Sequence, residues 1–212
     1  MRFRKACLIL GCLVLAAAWI TLILGNKESF SIHMIVHMAV VAGAAPLLAA
    51  GLAGGRCDFV SRGRVLTPLL ASMIELVVVW GWHSPAARDL AAGSALVRGL
   101  EQLSFLLAGL ILWLSCLGGA GDEKESRRLA GTLGLLFTSM HMTLLGALLS
   151  LSPRPLYGDG EVTCFGVPLS AGQDQQIGAV VMLLIGAAVY LAGGVALLGR
   201  TLNPSTARVS GE

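Results

Sequence analysis

Charge is scarce in this chain. Asp, Glu, Lys and Arg make up only 13% of its 212 residues, against roughly 25% in a soluble domain. That scarcity excludes an ordinary water-soluble fold. The net charge of +3 is far too small for a surface built to neutralise a phosphate backbone, so no nucleic-acid partner is expected. The five cysteines include no CxxC pair and form no disulfide framework. No P-loop, dinucleotide fingerprint or internal repeat occurs, which removes the readily recognised nucleotide-dependent classes. Strict alternation of apolar and polar residues is missing too, so a membrane β-barrel is not indicated. Histidine is the rarest informative residue, at four.

Apolar sequence is what the chain has in abundance: 56% hydrophobic residues and a mean hydropathy of +0.80. Glycine, at 27 residues, suits close helix packing in lipid. Six apolar runs have the length of about 17–25 residues that crosses a bilayer. They cover approximately Ala6–Leu24, Ser31–Leu52, Val65–Trp82, Gly99–Leu117, Leu129–Leu151 and Gln175–Gly199. The expected fold is all-α: a polytopic membrane helix bundle of about six transmembrane helices, one domain over residues 1–203. A disordered cytoplasmic tail is expected over 204–212. Arg2, Arg4 and Lys5 before Ala16-Ala17-Ala18 could also mark a signal peptide, but the apolar run continues to Leu24 and favours a retained helix.

Basic residues orient the bundle. With the N-terminus inside, the cytoplasmic face collects Arg2, Arg4, Lys5, Arg56, Arg62, Arg64, Lys124, Arg127, Arg128, Arg200 and Arg208. The opposite face holds Lys27, Arg88, Arg98 and Arg154. Eleven against four is a positive-inside pattern that puts both termini in the cytoplasm. All four histidines then fall in the outer half of the membrane or at its edge. His141 is the deepest, roughly 15 Å down at 1.5 Å per residue. Of the cysteines only Cys164 lies outside, where it is a candidate accessory ligand.

Histidine in hydrocarbon is costly and usually faces a bundle interior for a reason. Three of the four have methionine neighbours: His33-Met34, His37-Met38 and Met140-His141-Met142. Imidazole with thioether is a ligand set for copper, Cu(I) above all. His33 and His37, four apart, stack on one helix face. Met34 and Met38 form a second stripe about 100° round the helix. Met140 and Met142 point to opposite sides, so only one can accompany His141 inward. His83 follows Trp80-Gly81-Trp82, where an interfacial role competes with a functional one. Glu75 and Glu101 are carboxylates inside spans and need partners. Glu75, His37, His141 and Met182 fall at comparable depth and are expected to close one polar pocket. Asp174 reads either as the N-cap of the last helix or as an acidic group meeting a cation at the outer mouth. The candidate metal ligands are therefore His33, His37, His141, His83, Met34, Met38, Met142, Glu101 and Asp174, with no catalytic residue among them. Bland readings stay open: packed, hydrogen-bonded core histidines, or bis-histidine haem ligation by His37 and His141.

In order along the chain, several segments resemble the CtaG-like family of cytochrome c oxidase assembly factors, associated with caa-type oxidases. They are His33-Met34-x-x-His37-Met38, Trp82-His83-x-Pro85, Leu100-Glu101-Gln102-Leu103-Ser104-Phe105, His141 with Leu144-Leu145-Gly146-Ala147-Leu148-Leu149, Pro153-Arg154-Pro155-Leu156-Tyr157, and Asp174-Gln175-Gln176-x-Gly178 with Met182. The resemblance implies a non-enzymatic, multi-pass factor of the bacterial inner membrane that matures haem–copper oxidase by helping copper reach it. Its implied partners are oxidase subunits and periplasmic copper chaperones, within membrane lipid. In this reading Cu(I) comes in at Asp174 and His33 and is held by His37, His141 and methionines. Two departures stand out. The family pattern often has histidine where this chain has Gln102 and Arg98, and often Trp-Val-Pro where Leu183-Leu184-Ile185 follow Met182. A haem-binding membrane cytochrome, a metal-free assembly scaffold and a metal permease are the alternatives.

Overall fold

The computed structural model describes residues 2–25, 29–55, 58, 60, 66–118, 124–164 and 166–202. The start of the third expected span and the 204–212 tail lie outside them. Seven helices make up almost all of it: α1 (Arg2–Leu24), α2 (Phe30–Leu52), α3 (Pro68–Trp82), α4 (Pro85–Gly93), α5 (Ala95–Leu117), α6 (Lys124–Ser150) and α7 (Ala171–Leu202). The chain is thus a polytopic helical membrane protein. Between α6 and α7 a small antiparallel hairpin pairs β1 (Glu161–Cys164) with β2 (Val167–Ser170).

Five of the helices are long and apolar enough to cross a bilayer alone; the sixth crossing exists only as α3 and α4 together, bent by 70°. The expected span ends at Trp82 as read, but α3 begins at Pro68. With 15 residues, α3 reaches about 22 Å at 1.5 Å per residue, short of a hydrocarbon core of roughly 30 Å. Pro85 sets its outer end. A proline disfavours the α conformation in the residue before it, and Ser84 is extended, at φ −67 and ψ 140. The chain leaves α3 at His83 and restarts as α4.

Helix starts follow local chemistry. Thr67 caps α3 by accepting from Leu70 N (3.2 Å), with Pro68 at the first position. Ser94 caps α5 through Val97 N (3.5 Å). Ser170 and Gln173 form a reciprocal capping box on α7: Gln173 N donates to Ser170 Oγ (3.3 Å) and Ser170 N to Gln173 Oε1 (3.0 Å). In α2 the turns from Ala39 to Ala44 widen to π-helix just before Pro46, whose ring has no N–H to donate and crowds the carbonyl four residues back.

Packing in lipid gains little from hydrophobic burial between helices, so close approach matters more. The α6–α7 and α2–α7 contacts make the centre of the bundle. A Cβ on Gly178 would stand 2.6 Å from Phe30 Cδ1 and 3.0 Å from Met34 Cγ; only glycine lets α2 lie this near α7. α1 sits on the outside, with Ile9, Leu13, Ile20 and Ile23 exposed.

Candidate functional site

The end of the bundle that the charge pattern assigns to the outside holds a cluster built by α2, α3, α4 and α5. His83 is the residue that ends α3. Its ring turns back onto the preceding turn: Nδ1 lies 2.6 Å from Val79 O, a carbonyl that also accepts from the His83 backbone N–H at 3.1 Å. In the neutral ring the proton is thereby fixed on Nδ1, so the Nε2 lone pair faces inward, and Nε2 has no hydrogen-bond partner. Fixing one imidazole nitrogen to a carbonyl so that the other is presented is the arrangement metal-binding histidines use.

His37 comes from α2. It is fully buried, neither ring nitrogen has a hydrogen-bond partner, and its ring centroid lies 5.4 Å from that of His83. Phe105, from α5, packs on His37 at 4.0 Å and lies 6.4 Å from His83. A buried imidazole with two unsatisfied nitrogens costs free energy unless something occupies it.

One turn toward the outside, His33 meets two charges. Its Nε2 is 3.4 Å from Glu101 Oε1, and Arg88 Nη1 is 3.2 Å from its Nδ1. Arg88 Nη1 also stands 3.6 Å from Glu101 Oε1, a charge contact without hydrogen-bond geometry, since both carboxylate oxygens have no such partner. Arg88 is only 8% exposed. Gln102, next to Glu101, is buried with its amide unpartnered. Arg98 is occupied differently: Nε and Nη2 donate to the carbonyls of Ala91 and Ala92, both at 3.2 Å, and close the end of α4.

The outer loop lies over this cluster. Tyr157 stacks on Phe30 at 4.4 Å and donates its hydroxyl to His83 O at 2.7 Å. Burial pushes the Tyr157 phenol up to about 12, against the pull of the Arg88 charge. Gln175 ties the loop down, accepting from Leu156 N (2.6 Å) and donating to Leu149 O (2.9 Å).

The other expected ligands are placed elsewhere. Asp174 caps α2 rather than its own helix. It accepts from Ser29 Oγ (2.9 Å), from the backbone N–H groups of Phe30 and Ser31, and from Ser31 Oγ. Those donors satisfy the carboxylate at the positive end of the α2 dipole, and Cys164 Sγ lies beside them as an acceptor 3.0 Å from Ser31 Oγ. Met34 lies against Gly178, while Met38 Cε and the Met142 side chain surround Gly186, all on the α7 side of the bundle. Met140 is 60% exposed and faces away from the core. His141 is buried with both nitrogens unpartnered, but the ring beside it is Phe137, at 5.7 Å. Glu75 does not share a pocket with the histidines as equal depth suggested. Its Oε1 accepts from Tyr190 OH at 2.7 Å, beside the Ser72–Thr138 pair at 2.7 Å.

Chemically, the cluster offers two neighbouring imidazoles, His37 and His83, set edge-on at 66°, with a third imidazole and a carboxylate engaged by an arginine one turn above. Among the described residues, no three His, Cys, Asp or Glu side chains converge to hold a metal together. Two imidazoles would hold only an ion content with few ligands, such as Cu(I), and not one needing a closed tetrahedral set. Arg88 and Phe105 were missed as site residues by sequence reading. An arginine on the outer side, against the charge bias, was the signal available for Arg88, shared with Arg98 and Arg154.

No curated protein and no solved structure matches the chain. The profile of the family described as cytochrome c oxidase caa3 assembly factor matches residues 1–203. With nearly the whole length matched, the chain belongs to the cytochrome c oxidase caa3 assembly factor family.

Proposed function

We propose that this assembly factor carries Cu(I) in the outer half of the bundle and passes it to a haem–copper oxidase subunit in the bacterial inner membrane. The observation that carries the reading is the His37–His83 pair: both rings buried, 5.4 Å apart, with the inward nitrogens unpartnered and one ring oriented by a backbone carbonyl. Neutral imidazoles bind Cu(I) without first losing a proton, which suits an ion that must be released again. His33 and Glu101 stand above the pair as the next stop toward the outer surface, where periplasmic copper chaperones would deliver. The role is binding and hand-over, with no catalysis by the chain itself.

The test is metal content by mass spectrometry on detergent-purified protein loaded with Cu(I). Near-stoichiometric copper is expected in the wild type and in His141→Ala. It should be lost in His37→Ala/His83→Ala, which should also fail to support oxidase activity in the host. A wild type that retains no copper overturns the carrier reading. Full oxidase maturation by the double variant points instead to a metal-free scaffold.

A further inference from the structure

Arg88 has no part in holding copper, yet it is buried against two of the groups that would. An arginine taken out of water is expensive unless its charge is balanced, and here the balance comes from Glu101 at 3.6 Å. Arg88 Nη1 lies 3.2 Å from His33 Nδ1 and 3.5 Å from its Nε2, and His33 Nε2 is 3.4 Å from Glu101 Oε1. The guanidinium thus lies against both ring nitrogens of His33, and the carboxylate already faces a cation. A metal ion cannot use the His33 lone pair or the Glu101 charge while the guanidinium stays where it is, because two positive charges at one buried site repel strongly.

We propose that Arg88 is the exchangeable counter-cation of this site. It neutralises Glu101 and masks His33 when no metal is present, moves aside as Cu(I) arrives, and by returning drives the ion off. The proposal rests on the copper reading above and adds the means of release. Total buried charge changes little through such an exchange, since one monovalent cation replaces another beside the same carboxylate.

Arg88 sits on a short element bounded by two breaks in the helix. It is carried by α4, a helix of 9 residues set between the 70° bend after α3 and the extended Ser94, at φ −138 and ψ 123. A cavity of about 20 Å³ lies against His33, Arg88, Ala92 and Arg98. Arg98 cannot take over the task, because two of its nitrogens are committed to the carbonyls of Ala91 and Ala92.

The test is competition for Cu(I) with a chromophoric chelator, on the full-length protein in detergent. Arg88→Gln should bind Cu(I) about tenfold more tightly than wild type, the usual scale of coupling between competing ligands, and surrender it more slowly to an acceptor. Arg88→Lys, which keeps the charge, should stay near wild type. Equal or weaker binding by a folded Arg88→Gln overturns the proposal. Should that variant not fold, the charge-balanced Arg88→Gln/Glu101→Gln is compared with Glu101→Gln alone. Tighter binding by the double variant is expected because His33 Nδ1 is freed, and equal or weaker binding is again a refutation. Absence of copper from the wild type would instead sink the carrier reading itself.

Discussion

Glu75 shows what a single buried polar group can settle. It is fully buried in α3, where an unpartnered carboxyl would be costly. Tyr190 from α7 answers it at 2.7 Å, with the Tyr190 ring stacked on Trp113 at 5.8 Å. Three helices are thereby tied at one point. Tyr190→Phe is expected to lower stability by about 1 kcal/mol, the modest scale of hydrogen bonds in membrane bundles. Glu75→Gln should be better tolerated, since a carboxamide oxygen still accepts from Tyr190. Circular dichroism during thermal unfolding in detergent checks the order; a Tyr190→Phe variant as stable as wild type would show that the bond contributes nothing. At this scale the sequence was only half legible. Residue depth along each helix is a count, but direction round the helix and the neighbour it meets are tertiary. Glu75 and His37 share a depth yet have different partners.

The elements were easier to read than their contacts. Long apolar runs located five crossing helices directly, because lipid demands continuous helix where backbone groups have no water. The sixth was read to its observed end at Trp82, with His83 just beyond it; what hydropathy did not show is the bend, because Ser84-Pro85 turns the chain into α4 at 70°. Met34 and Met38 make a related point. An offset of about 100° on one helix is enough to carry them from the α5 side, where His37 meets Phe105, to the α7 side, where Gly178 and Gly186 receive them. Close packing there is testable. Gly178→Ala places a methyl against Phe30 and Met34 and should cost about 1–3 kcal/mol by overpacking. Gly172→Ala, on the same helix with nothing within 4 Å of the added carbon, should be neutral within about 0.5 kcal/mol. Equal effects of the two on thermal unfolding would refute the close-approach account of α2 on α7.

For the whole molecule, orientation decides what the site can serve. The His33–His37–His83 cluster lies toward one end of the bundle, under the loop that Tyr157 and Gln175 pin in place. On the proposed reading, metal reaches it from the compartment that end faces. The charge distribution puts it outside, with Arg4 closing the other end by donating to Gly51 O at 3.0 Å and with Arg128 near Arg200 O at 3.4 Å. This asymmetry is a property of the entire chain, and no single segment carries it: each loop adds a few charges, and only their alternation orients the bundle. A membrane-impermeant maleimide applied to intact cells should therefore label Asp159→Cys in a background with its five native cysteines replaced. It should label Arg128→Cys only after the membrane is permeabilised. Labelling in the reverse order would turn the cluster toward the cytoplasm. Copper would then have to be drawn from the cytosolic pool, and delivery by periplasmic chaperones would fall with it, whereas the His37–His83 pair and the exchange at Arg88 would stand, since neither depends on which side supplies the ion.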